Sequence, residues 1–171
     1  MTSEVIKTPE ETLWAARWAA LYKADVSARY HRRRQRFFDL ADKLTKALTV
    51  LLGATLMGSM LKDSQPVAAS VISSLSLLAL VFAYSDRKQA HKELAEGFIN
   101  LIQQIEACSV SDLTEAKAAA WMAMATAMDA KEPPALKTLV TLCEHDAATA
   151  AGHQEHITRP RWHRRLVADF F

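Results

Sequence analysis

Glycine and proline are scarce in this chain, at four and five of 171 residues. So few turn formers allow few turns, and the chain is expected to fold into a small number of long helices. Strand signals are missing too, since no segment alternates apolar and polar residues between turn clusters. Cysteine occurs only at Cys108 and Cys143, with no C-x-x-C pair, which favours reduced thiols in a cytoplasmic compartment over a disulfide framework. Neither sign of charge is in excess. The 21 basic and 19 acidic residues give a formal charge of +2, too near neutrality to demand a polyanionic partner, so any basic function must be local. No apolar stretch of useful length lies in the first thirty residues. A secretory signal peptide is therefore not expected, and the first apolar helix would itself be the insertion signal.

What the chain does have is concentrated in the middle. "ALTVLLGATLMGSML", Ala47 to Leu61, is 15 residues without a charge. As a helix it rises about 22 Å, or about 25 Å if Lys46 and Lys62 snorkel to the two interfaces. A second uncharged window lies between Asp63 and Asp86, and its core "VAASVISSLSLLALVFAY" is 18 residues, enough to span a bilayer. The connection "LKDSQPV" is a short reversal, with Ser64 suited to capping and Pro66 to the first turn of the next helix. The pair reads as a helical hairpin with membrane helices at about 46–62 and 66–84. The alternative is that both windows are core helices of a soluble bundle. Against that, Val67 to Tyr84 shows only serine and alanine where a soluble helix would show a charged or amide-bearing face.

Charge around the hairpin is one-sided. Arg29, Arg32, Arg33, Arg34, Arg36, Lys43 and Lys46 precede it, Arg87, Lys88 and Lys92 follow it, and the connection holds Lys62 alone. Ten basic residues against one is the positive-inside pattern of a hairpin with both ends cytoplasmic. Phe37, Phe38 and Tyr84 suit an interfacial aromatic belt, and the arginines suit anionic headgroups. A nucleic-acid-binding arm is the competing reading of "RYHRRRQRFF", but such an arm needs no apolar hairpin behind it, and no nucleic-acid partner is expected.

Ahead of the hairpin, "TPEET" reads as a helix start, with Thr8 as N-cap and Glu11 completing a capping box. With no Gly or Pro from there to Gly53, a helix from Pro9 to Leu61 would be about 80 Å long. Trp14, Trp18, Leu21 and Tyr22 read as its packing face. After the hairpin, Leu94, Phe98, Leu101 and Ile105 form an apolar stripe that would pack antiparallel on the first helix as a cytoplasmic stalk. Ser111 is expected to cap a helix carrying Leu113, Trp121, Met124 and Met128. A further helix would run from the double proline to Gly152, with Leu136, Leu139, Val140, Cys143 and Ala147 inside. In the tail, Trp162, Leu166 and Phe170 would dock on the bundle or lie on the membrane. The expected fold is thus all-α. Residues 9–107 would form a long hairpin crossing the membrane twice with its antiparallel stalk, and residues 111–171 a small C-terminal helical region.

Small residues form a stripe on the second membrane helix at Ala69, Ser73, Ser76, Ala79 and Ala83, with Ala54 and Gly58 as counterparts on the first. Such stripes let helices pack closely in lipid, so they should meet the other helix or a neighbouring subunit, or line a pore. Catalytic constellations are missing. "CEHD" at Cys143 to Asp146 has the residue types of a triad, but successive helical positions point about 100° apart. Cys143, His145, His153 and His156 are weak candidates for a metal group, with a spacing that matches no zinc signature, so neither metal, cofactor nor enzymatic activity is expected.

The order of "RYHRRRQRFFDLADKLTKAL", a short-looped apolar hairpin and "SDRKQAHKELAEGFINLIQQIE" resembles the bacterial SLATT-type domains, from about Trp14 to Glu106. The segment after Ser111 lies outside the resemblance. It implies a homo-oligomeric inner-membrane effector of a bacterial or phage conflict system, one that perforates or depolarises the membrane when a separate sensor protein triggers it. A holin-like phage lysis protein and a passive membrane anchor or scaffold for a cytoplasmic partner are the other two readings.

Overall fold

The computed structural model describes residues 8–57, 65–132, 135–153, 157, 158, 161 and 168. The described residues are helical with no strand. Helix α1 spans Pro9–Met57, α2 Gln65–Phe82, α3 Tyr84–Ala107, α4 Glu115–Asp129 and α5 Lys137–Ala150, with a 3-10 turn at Val110–Asp112. The chain divides into two compact units, Met1–Arg32 with Glu93–Phe171, and Arg33–Lys92. Both α1 and α3 contribute to each unit.

The start of α1 is the expected capping box. The Thr8 N–H donates to a Glu11 carboxylate oxygen at 2.7 Å, and the Glu11 N–H donates to the Thr8 hydroxyl at 3.3 Å. Pro9 has no N–H to satisfy, so two of the three orphan donors of the first turn are thereby paired. No glycine or proline interrupts the next forty-three residues, Glu10 to Leu52, so α1 runs unbroken for 49 residues. At 1.5 Å per residue that is about 73 Å.

In the first unit, Ala20, Ala24 and Ala28 of α1 face Phe98, Leu101 and Ile105 of α3 and Ala118, Trp121 and Ala125 of α4 in one apolar cluster. The alanines at four-residue spacing let the neighbouring helices approach, and the large residues of α3 and α4 fill the space. Of the expected α3 stripe, Phe98, Leu101 and Ile105 are in the cluster, while Leu94 is half-buried and not part of it. The expected α1 face is not present: Leu13 and Leu21 pack against the cluster, but Trp14, Trp18 and Tyr22 are exposed. On α4 the buried positions are Ala118, Trp121 and Ala125, while Met124 points out. Antiparallel pairing of α1 with α3 is fixed by Arg17, whose guanidinium donates to the carbonyls of Ile105 at 3.0 Å and Glu106 at 3.5 Å. These belong to the last turn of α3, where a cation also complements the helix dipole.

A second cluster joins Val26 and Tyr30 of α1 to Leu139, Leu142, Cys143 and Ala147 of α5, and Ala168 docks into it, fully buried. The tail positions Trp162, Leu166 and Phe170 lie outside the described residues. The N-cap of α4 is Thr114, not Ser111, which sits in the 3-10 turn; the Thr114 side chain accepts from the Lys117 N–H. At the start of α5 the N-cap, Leu136, has no side-chain cap, and its own N–H instead donates to the Tyr30 hydroxyl at 3.3 Å. The helix ends as expected at Gly152, whose φ of 80° suits a glycine. The Gly152 N–H bonds the Thr149 carbonyl and the His153 N–H the Ala148 carbonyl, the paired closure of a Schellman motif.

In the second unit the later part of α1 runs antiparallel to α2 and the start of α3. Phe38 meets Tyr84 with centroids 6.5 Å apart and stacks on His91 at 5.5 Å, and Lys88 reaches Asp39 at 3.3 Å. Between α2 and α3 stands Ala83 with φ 45°, a conformation that costs an alanine about 1 kcal/mol or more. Hydrogen bonding runs through it, from the Ala83 N–H to Ala79 and from the Arg87 N–H to Ala83.

Candidate membrane interface

The second unit hides little of its apolar surface. Leu40, Leu44, Leu48, Val50 and Leu51 of α1 and Val67, Val71, Leu77, Leu78, Leu80, Val81 and Phe82 of α2 are all exposed. Ile72, Leu75 and Ala79 on α2, and Thr45, Thr49, Leu52 and Gly53 on α1, are half-buried and mark the inner sides. By length and composition one helix, Ala69–Ala107 when α2 and α3 are taken through Ala83, is apolar enough to cross a membrane. Its 18-residue apolar window has a mean hydropathy of 1.5, and none of the window is buried. That is where the sequence pattern puts the second membrane helix. Residues 58–64, which hold the end of the first, with Gly58, and the connection with Lys62, lie outside the described residues.

Side-chain hydroxyls in this region fall into two groups. Thr45, Thr49, Ser70 and Ser74 donate to carbonyls four residues earlier in their own helices, at 2.8 to 2.9 Å. This arrangement satisfies a hydroxyl without water. Ser73 and Ser76 make no hydrogen bond to described residues and are exposed, as is Ala69. Of the small stripe, Ala79 and Ala83 are half-buried. Within the chain, therefore, the inner face of α2 carries isoleucine and leucine, and most of the small stripe points outward.

At the polar end of the unit, rings and cations interleave. Phe82 stacks on Tyr84 with centroids 5.7 Å apart, and Phe37 meets Phe38 edge-on at 5.4 Å. The Arg34 guanidinium lies 4.6 Å from the Phe38 centroid and 5.3 Å from that of Phe37, and Arg87 lies 5.9 Å from Phe38. Phe38 is thus the hub of this aromatic cluster, buried with two guanidinium groups against it.

The basic residues are less bare than their run in the sequence implies. Asp39 takes Lys43 at 2.6 Å and Lys88 at 3.3 Å, Asp42 takes Lys46 at 2.7 Å, and in the first unit Asp25 takes Arg29 at 2.9 Å. The hydrogen bond from Lys43, with help from Lys88, holds the Asp39 carboxyl below its ordinary value, and the same bond raises Lys43. Arg32 and Arg36 are exposed and Arg33 is half-buried. The sequence pattern alone singles out neither the acidic partners nor Phe82, although Asp at i and Lys at i+4 is a readable signal at Asp39–Lys43 and Asp42–Lys46.

The weak metal candidates do not converge. Cys143 is packed inside the second apolar cluster, His153 is exposed, and His156 lies outside the described residues. Among the described residues, Cys143, His145 and His153 form no group able to hold an ion. No protein-family model, curated protein or solved structure matches the chain.

Proposed function

We propose that the hairpin of late α1 and α2 crosses the bacterial inner membrane twice with both termini cytoplasmic. Several copies then assemble into a pore or membrane-perturbing effector of a bacterial or phage conflict system. The observation that carries this reading is the second unit's uncovered apolar surface, contributed by both helices and by a window of α2 of which nothing is buried. Left in water, an apolar patch of this extent is unfavourable by roughly 25 cal/mol per Å², and soluble monomers seldom expose one beyond a few hundred Å². Lipid removes that cost, and helices are one of the two structures whose backbone can enter it.

Charge supports the same orientation after the carboxylates are counted. Seven basic and two acidic residues stand between 29 and 46, three basic and one acidic between 85 and 92, and one of each in the connection. A single hairpin has too few helices to enclose water, so a pore requires copies related most simply by cyclic symmetry. Ser73 and Ser76, with hydroxyls turned outward, suit either a helix contact between copies or a lumen.

The test is reconstitution of the purified full chain into sealed vesicles with an entrapped ion-sensitive dye. Dye response together with a cross-linked ladder above the monomer is the expected result. A protein that fractionates with the soluble phase defeats the membrane reading. One that inserts, stays monomeric and never conducts defeats the pore and leaves a scaffold.

A further inference from the structure

Two surface features of the first unit lie at the same level of α1, on opposite sides of it, and play no part in the membrane reading. One is a ridge: Trp14 is 42% and Trp18 59% exposed, four residues apart and so neighbours along the helix. The other is an open groove of about 400 Å³ between α1 and α4, whose lining includes Ala16 and Ala19 from α1 and Ala118, Ala119 and Met122 from α4. Relative to Trp14, Trp18 is about 40° round the helix, whereas Ala16 and Ala19 are about 140° or more away. One feature is a pair of large flat side chains without a cover, the other a shallow apolar hollow without a filling.

Their charges are opposite. Arg17 lies beside the ridge, its guanidinium 5.4 Å from the Trp14 centroid, and Glu115 stands in the groove lining. Among the described residues neither side chain has an ionic partner: Arg17 is held by two carbonyls of α3, and Glu115 sits in the first turn of α4.

We propose that the groove receives the Trp14–Trp18 ridge of a second copy of this chain, with Glu115 of the groove facing Arg17 of the ridge. Aromatic residues and arginine are the side chains enriched at the centres of protein interfaces, and a floor of alanine accepts a flat ring without displacing anything. Ridge and groove are different surfaces, so the contact is heterologous: each copy offers its ridge to one neighbour and its groove to the other. Such a contact closes into a ring where the rotation permits. The inference rests on the homo-oligomeric part of the function proposed above and locates an oligomer contact outside the membrane.

Full-length protein in nanodiscs tests it. With Cys108 replaced by serine, Trp18→Cys protein and Ala119→Cys protein should each remain uncross-linked alone and form disulfide-linked dimers when mixed under mild oxidation. The pair Trp14→Ser and Trp18→Ser, on exposed positions with an unchanged helical circular-dichroism spectrum reporting an intact fold, should weaken self-association at least about tenfold, the usual weight of an aromatic anchor. Glu115→Lys should weaken it as well, through repulsion by Arg17. No cross-link in the mixture, or self-association unchanged in the tryptophan pair, overturns the proposal. If that happens while the parent still conducts and oligomerises, the ridge contact alone has failed. If the parent is monomeric and silent, the pore reading has failed with it.

Discussion

His31 is the most consequential single residue of the first unit, because it is a titratable group only 1% exposed. Its ring stacks on Phe98 with centroids 5.5 Å apart and meets Tyr30 edge-on, and its Nε2 stands 3.4 Å from a Glu132 carboxylate oxygen. Burial pushes the imidazole from 6.5 down to about 4. The folded chain therefore stays unprotonated at His31 over a range in which the unfolded chain takes up a proton. Stability should be complete above pH 6.5 and fall as pH drops towards 4, by at most about 3 kcal/mol at 1.36 kcal/mol per unit. His31→Phe keeps an aromatic ring stacked on Phe98 but cannot be protonated, so the fall should flatten over that window in denaturant titrations followed by far-UV circular dichroism. An unchanged slope would assign the acid sensitivity to other groups. Asp39, held below its ordinary 3.8 by Lys43 and Lys88, acts in a lower window, with stability lost only as pH falls through its depressed value.

Among the elements, what was legible depended on whether local chemistry or helix-to-helix packing decided the outcome. Thr8 with Glu11 and the stop at Gly152 could be read because caps and left-handed glycines are settled within five residues. So could the α3 stripe of Phe98, Leu101 and Ile105, since large apolar residues at steps of three and four fall on one face of a helix and drive that face into a core. The core face of α1 is not the one hydropathy indicates: hydropathy favours Trp14 and Trp18, whereas close approach of helices favours Ala20, Ala24 and Ala28. Size decided that contact. The small stripe of α2 raises the same issue in lipid, where there is no hydrophobic force between helices and packing decides association. Ser73 is exposed near mid-length of α2 and Ala79 is half-buried in its last turn, so Ser73→Leu with Ala79→Leu adds bulk on both sides of the helix. Both changes also raise hydrophobicity. Insertion should therefore be unaffected while single-channel conductance or vesicle flux falls at least about tenfold, as expected when a close helix contact is prised apart. Parental flux from the double variant would show that this stripe neither packs nor lines a pore.

For the whole molecule the question is orientation, and there the basic residues act as a set. Several are partly neutralised locally: Lys43, Lys46 and Lys88 have carboxylate partners, and Arg34 and Arg87 lie against Phe38. In the proposed hairpin, topology would nevertheless follow lysine and arginine counts near the helix ends, with acidic residues contributing little, so pairing with Asp39 and Asp42 would not cancel the signal. The pairing has another effect. It fixes Lys43 and Lys88 on one carboxylate and so ties late α1 to the start of α3, while Arg32 and Arg36 stay exposed, where the proposed membrane reading would set them against lipid headgroups. At an anionic surface each such residue contributes about 1 kcal/mol. With ten basic residues on one side and one on the other, reporter fusions at Met1 and at Phe171 should both give active cytoplasmic reporters and inactive alkaline phosphatase. Replacing Arg32, Arg33, Arg34 and Arg36 together by glutamine removes four of the ten. That should yield a mixed population in which a measurable fraction of Met1 fusions gains phosphatase activity, while the apolar windows still insert. Active phosphatase at either terminus of the parent would refute the hairpin topology. Salt-sensitive binding of the parent to duplex DNA, lost in the glutamine variant, would instead assign the arginine run to nucleic acid.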